Sequence, residues 1–201
     1  AFSNGELYTI VTNKSGHGKR GTVIAMIKGT SSDDVCKYLM KLPDGKRRMV
    51  KNVTLDMAGS MKQIAKRCFP NATQIIDRFH VQKQMQEALQ DLRVQYRWQV
   101  IEQENTDIKR SRAEGKKHIP QYFENGDTLR QLLARSRYIL FKSPDKWTPT
   151  QKTRAEILFK QFDDIKQLYY LTLQLGQIYS QSYNKDIARV KLALWFNKIE
   201  E

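Results

Sequence analysis

Two short apolar runs each end on an aspartate: Val53-Thr54-Leu55-Asp56 and Gln74-Ile75-Ile76-Asp77. The second continues straight into Arg78-Phe79-His80. Gly59-Ser60 opens the segment between them, where Met61, Ile64, Ala65 and Cys68 recur at helical spacing, and Pro70-Asn71 ends it. Strand, helix and strand in that order imply a parallel pair joined by a right-handed crossover. Each carboxylate then stands at the end of a buried strand, where a rigid sheet meets solvent. Neighbouring strands lie about 4.8 Å apart, so the two acids can converge without help from loops.

The chain around these acids is basic. Its 201 residues hold 35 Lys+Arg against 21 Asp+Glu, a formal charge of +14. Such a surface attracts phosphate and gains free energy by counterion release. Acidic groups at a sheet end inside a cationic chain point to metal-assisted chemistry on a nucleic-acid backbone. The length, with 40% hydrophobic residues, suits one large domain or one domain carrying an inserted subdomain. No run of about 18 apolar residues occurs, which excludes a membrane-spanning helix. There is no CxxC pair, which argues against a zinc knuckle. Cys36 and Cys68 fall on apolar faces of expected helices and read as buried free thiols in a reducing, cytoplasmic compartment. No signal peptide opens the chain, and a start at Ala1 reads as a piece excised from a longer protein.

The first hundred residues read as mixed α/β. Glu6 to Thr12 and Thr22 to Ile27 are strands joined by a glycine-rich, cationic hairpin, the second strand being apolar enough for burial on both faces. Ser31-Ser32-Asp33-Asp34 starts a helix with its acids at the positive end. Strands follow at Met49 to Asp56 and Thr73 to Asp77. From residue 81 the pattern turns helical. A long amphipathic helix runs to about Glu104, and the polar stretch from Asn105 to Lys117 reads as a link or frayed helix. Asp127 is expected to cap the next helix. Thr148-Pro149 starts another, with a break near Phe162-Asp163, and a last helix holds Ile187, Val190, Leu194 and Trp195. Tyr8, Tyr169, Tyr170, Trp147 and Trp195 read as packing aromatics. The expected division is an α/β core over 1–104 and an all-helical part over 105–201.

Phosphodiester cleavage needs an activated oxygen nucleophile and a stabilised leaving oxygen. Two divalent ions about 3.5–4 Å apart can serve both. Magnesium prefers hard oxygen ligands and keeps several waters, so a few carboxylates suffice. Asp56 is the best candidate ligand, because Met57-Ala58-Gly59-Ser60 after it is small and open enough for a phosphate to approach. The competing reading of Asp56 is a turn-forming cap at a strand end, and Asp77 has the same alternative as cap of the long helix. His80 reads either as a first-turn histidine bonded to Asp77 or as an acid–base or metal group. Lys14, Lys19 and Arg20 in the hairpin, Lys46-Arg47-Arg48 in a turn, and Arg78 are candidate phosphate contacts. A solvated charged surface is their alternative.

The segment from residue 50 to 80 also resembles a known family. Val53-Thr54-Leu55-Asp56-Met57, Phe69-Pro70-Asn71-Ala72 and Ile76-Asp77-Arg78-Phe79-His80 resemble the DDE domain of ISL-type bacterial insertion-sequence transposases. The opening Phe2-Ser3-Asn4-Gly5-Glu6-Leu7-Tyr8-Thr9-Ile10-Val11 is similar to the stretch after that family's first catalytic aspartate. Gly126 to Trp147 looks like its helical insertion. The resemblance implies an RNase H-like mixed sheet with flanking helices plus a helical insertion. It further implies magnesium or manganese as cofactor, DNA as partner, and cleavage with strand transfer at transposon ends. On matching positions Asp56 corresponds to the second acid of the triad, and Asp77 with His80 to a supporting Asp-x-x-His element. The first acid is expected before Ala1 and the third beyond Glu201, which would leave this chain inactive alone. A missing first strand would leave a sheet edge open to a second copy, and so a homo-oligomer. Two other readings stand beside it: a different RNase H-like nuclease or resolvase, and a non-enzymatic nucleic-acid-binding module.

Overall fold

Extended, β-branched sequence forms Tyr8–Thr12 (β1) and Val23–Lys28 (β2), which pair antiparallel with Tyr8 opposite Lys28. The hairpin between them is closed by Asn13, whose side-chain oxygen accepts the Ser15 N–H at 3.2 Å. Helices follow at Ser32–Leu39 (α1) and Asp44–Arg48 (α2), then Asn52–Leu55 (β3), Gly59–Cys68 (α3) and Thr73–Ile76 (β4). This computed structural model describes residues 6–200, so Phe2, Ser3, Asn4 and Gly5 of the opening segment, and Glu201, lie outside the described residues. The chain divides into two units, residues 1–80 and 81–201.

In the first unit, Ile27 packs with Val35, Cys36, Leu39, Ile64 and Cys68, so β2 is covered by α1 and α3. Alternation decides the rest. Ala25 and Ile27 face the helices, while Ile24 and Met26 point the other way and stay 51% and 53% exposed. The expected burial of β2 on both faces therefore does not hold, because the described residues form two two-stranded sheets, β1–β2 and β3–β4. A two-stranded ribbon has too few neighbours to bury both faces. For the same reason β4 is exposed throughout, with Ile75 and Ile76 in solvent, although its run of apolar residues reads as a buried strand. The mixed α/β class holds, and β3–β4 is parallel as the strand–helix–strand order requires.

Arg78–Ala113 (α4) begins at the edge of the first unit and runs on as one unbroken helix, so Asn105 to Ala113 is helical rather than a link. Its i,i+3 and i,i+4 contacts favour continuation, as in Arg110–Asp107 and Gln103–Asp107. Leu129–Arg135 (α5), Pro149–Gln161 (α6), Asp163–Gln181 (α7) and Lys185–Glu200 (α8) complete the second unit. The break at Phe162 and the proline-led start at Thr148 fall where expected. Thr148 and Thr128 each form a reciprocal capping box with the glutamine three residues on. The core gathers Leu89, Leu132, Leu133, Leu140, Ile157, Leu158, Ile165 and Tyr169. Trp147 stacks on Tyr169 at 5.6 Å between centroids, and the Tyr169 hydroxyl donates to the Lys142 carbonyl at 2.6 Å.

Asp127 is not the cap of α5; Thr128 is. Asn125-Gly126 turns the chain with Gly126 at φ 76°, a left-handed conformation that favours glycine, and delivers Asp127 inward. There its carboxylate is fully buried and accepts from Arg154 Nε at 2.6 Å, from Arg135, and from Asn125 Nδ2 at 2.9 Å. Burial pushes this carboxyl up, but the bonds from Arg154 and Arg135 outweigh it and hold it below the ordinary carboxylate value.

Candidate active site

The parallel register sets Asn52 against Thr73 and Leu55 against Ile76. Asp56 and Asp77 are the next residues on each strand, so both leave the carboxyl ends of neighbouring strands side by side. The Asp77 N–H donates to the Leu55 carbonyl at 2.8 Å, which extends the ladder one step and fixes the two residues in step. Each side chain then folds back on its own backbone. Asp56 Oδ1 accepts the Ala58 N–H at 2.9 Å, and Asp77 Oδ1 accepts the Phe79 N–H at 3.0 Å. These are Asx turns, and they set the orientation of both carboxylates. The second oxygen of each, Oδ2, makes no hydrogen bond among the described residues. Asp56 and Asp77 are both half-buried.

His80 enters on the first turn of α4. Its backbone N–H donates to the Asp77 carbonyl at 3.1 Å, and its ring meets Phe79 edge-on at 5.7 Å. Asp77 thus precedes α4 and bonds its first turn, as one of its two readings held. Among the described residues no three His, Cys, Asp or Glu side chains converge into a metal-holding group. The structure brings together two carboxylates, with His80 and Arg78 on the turn that follows.

A model of the ISL-type DDE transposase family, described as Transposase, matches residues 1–201. The chain belongs to this transposase family. Neither curated proteins nor solved structures give a match. Membership makes DNA the class of partner and DNA cleavage the class of reaction. No helix among the described residues is long and apolar enough to cross a membrane.

The transposase's expected phosphate contacts sort by what they already hold. Lys14, Lys19 and Arg20 are exposed in the β1–β2 hairpin, and no hydrogen bond or ion pair among the described residues ties them to the aspartates. Lys46, Arg47 and Arg48 lie on the short helix α2, not in a turn. Arg47 is turned inward and donates to the Leu42 carbonyl at 3.2 Å, the Cys68 carbonyl at 3.0 Å and Asp44 at 2.9 Å. It clamps the ends of α1 and α3, so its hydrogen bonds serve the fold. Arg48 pairs with the same Asp44, and Lys46 stays exposed. Cys36 and Cys68 are free and buried as expected, with sulfurs 3.3 Å apart; burial first, then the bond to Cys36, pushes the Cys68 thiol up to about 12. Sequence reasoning missed the buried Asp127 centre and, on α4, the buried Arg93. Its signal was present: a cation within the stripe of Leu89, Leu92 and Tyr96.

Proposed function

We propose that this chain is part of the catalytic domain of a DDE transposase that cleaves DNA and transfers strands at insertion-sequence ends. The observation that carries the reading is the pairing of Leu55 with Ile76, which sets Asp56 beside Asp77 at the carboxyl edge of β3–β4. In this reading Asp56 is the triad acid, and Asp77 with His80 is the supporting element that holds the first turn of α4 against the strand ends. The functional division runs from an RNase H-like core over 1–104 to a helical insertion over 105–201. A hard-oxygen pair of this kind suits a magnesium or manganese ion, which would supply Lewis-acid stabilisation of the phosphoryl oxygens. Asp56 offers Oδ2 for that purpose, while its Asx turn holds Oδ1. In this reading the chain supplies one acid of the triad and is inactive alone, and the two-stranded sheets suit pairing with a second copy.

The same Asx turns favour a second reading in which both aspartates only shape the strand ends. Cleavage-competent protein carrying Asp56→Asn separates the two. Loss of cleavage and strand transfer, with DNA affinity retained, supports the catalytic role; unchanged turnover sinks it. The 201-residue chain itself should bind DNA without nicking it in either magnesium or manganese.

A further inference from the structure

One face of α4 carries Gln86, Gln90, Arg93 and Arg97 at successive intervals of four, three and four residues, so the four share a stripe. The first three of them are spoken for. Gln86 Nε2 donates to the Leu140 carbonyl at 2.9 Å, Gln90 Nε2 to the Arg137 carbonyl at 3.2 Å, and Arg93 Nη1 to the Leu133 carbonyl at 2.8 Å. Arg93 Nε also bonds Gln90 Oε1 at 2.9 Å. These bonds lay the segment from Leu133 to Leu140 along α4 and bring Arg137 beside the stripe. Arg137 stands over the Tyr138 ring at 5.5 Å.

Four arginines of the helical unit have carboxylate partners: Arg110 with Asp107, Arg130 with Glu104, and Arg135 and Arg154 with Asp127. Among the described residues Arg93, Arg97 and Arg137 have none. Arg97 is the sharpest case, because its Nε is buried and has no hydrogen-bond partner. Burial, with Arg137 and Arg97 close by, holds the Arg93 guanidinium below its ordinary value. Three guanidiniums that repel one another, one with a buried orphan donor, are an arrangement that a bound anion relieves. Guanidinium forks match phosphate oxygens better than any other side chain.

We propose that Arg93, Arg97 and Arg137 form a phosphate site in the helical unit that grips the backbone of bound DNA. Arg93 is the fixed wall, tied to α5, and Arg97 and Arg137 are the fingers. The inference rests on DNA being the partner and adds where the helical unit holds it.

The test is fluorescence anisotropy of a labelled DNA duplex with the 201-residue chain across a salt series. Arg97→Gln with Arg137→Gln should weaken binding roughly tenfold and flatten the slope of log K against log salt by about one to two. A charge-matched control, Lys152→Gln with Lys160→Gln on α6, should cost less than about threefold, since counterion release alone is spread over the whole surface. Unchanged thermal midpoints keep folding out of the comparison, which is why Arg93 is left intact. If the arginine pair behaves like the lysine pair, the site is overturned while DNA binding stands. If wild-type chain fails to bind duplex at all, both this site and the DNA reading fall. Arginine Nε–H resonances distinguish sources of phosphate: Arg97 should shift with duplex, and a shift with inorganic phosphate but not duplex overturns the nucleic-acid assignment. Lost self-association with unchanged DNA affinity would assign the arginines to an acidic protein surface and overturn it equally.

Discussion

The two units solve burial in opposite ways. The helical unit gathers large side chains from several helices around Tyr169, Leu158 and Leu133, all fully buried, and locks in a carboxylate between two arginines. The first unit has a thinner core of Ile27, Val35, Leu39, Ile64 and two cysteines. It leaves Ile24, Met26, Ile75 and Ile76 in solvent on two-stranded ribbons. The difference teaches where each kind of element gets its stability. A helix satisfies its own backbone and needs only one covered stripe. A two-stranded ribbon satisfies half its backbone and depends on neighbours for both faces. The candidate catalytic acids sit in the unit that is less well covered.

That contrast can be broken by matched core truncations. Leu158→Ala should destabilise the helical unit by about 4 kcal/mol, and Leu39→Ala the first unit by about 2–3 kcal/mol, because the thinner core collapses more readily around the gap. Hydrogen exchange read separately on α6 and α1 would check it; equal losses would end the distinction. Next in size, Asp127→Ala should cost about 3 kcal/mol in urea unfolding of the helical unit, since it strands Arg154 in a mostly buried position. Arg135 is half exposed and rehydrates, which keeps the loss at the low end.

Asp127 also gives a pH signature. Its folded value lies below the ordinary one, so its contribution is complete above the unfolded value of about 3.9 and disappears as pH falls through the folded value. Asp127→Asn should remove that acid limb from the stability profile of residues 81–201 and leave the first unit's profile unchanged.

Arg47→Ala should cost the first unit about 2 kcal/mol by freeing the carbonyls of Leu42 and Cys68, whereas Lys46→Ala should change stability by less than about 0.5 kcal/mol. Equal melting curves for the two would return Arg47 to the surface. The smallest effect is at a cap: Thr148→Ala should lower helical-unit stability by about 1 kcal/mol, seen as faster exchange in the first turn of α6.

Much of this architecture was legible in the chain because its signals are local. Asp56 and Asp77 were placed together by the run–helix–run order alone, since only a parallel pairing satisfies it. Thr148-Pro149 and the break at Phe162 were readable because caps and helix ends use residues within one turn. The fate of Arg47 was not, because its partners at Leu42 and Cys68 lie on two other elements. Asp127 reads as a cap in the sequence, and only the return of α6 brings Arg154 to it.

The sequence by itself determined most of the helix and strand types, the parallel β3–β4 pair, and the carboxylates at its edge, all of which follow from periodicity and chain order; it did not show α2 or the run of α4 past Glu104. The tertiary structure decided which charges are spent on the fold and which are left over. Arg47 and Arg154 are absorbed into carbonyl and carboxylate contacts, while Arg97 keeps a buried donor without a partner. That distinction has no local signal, because a guanidinium finds its partner through space and at distances along the chain that no periodicity encodes.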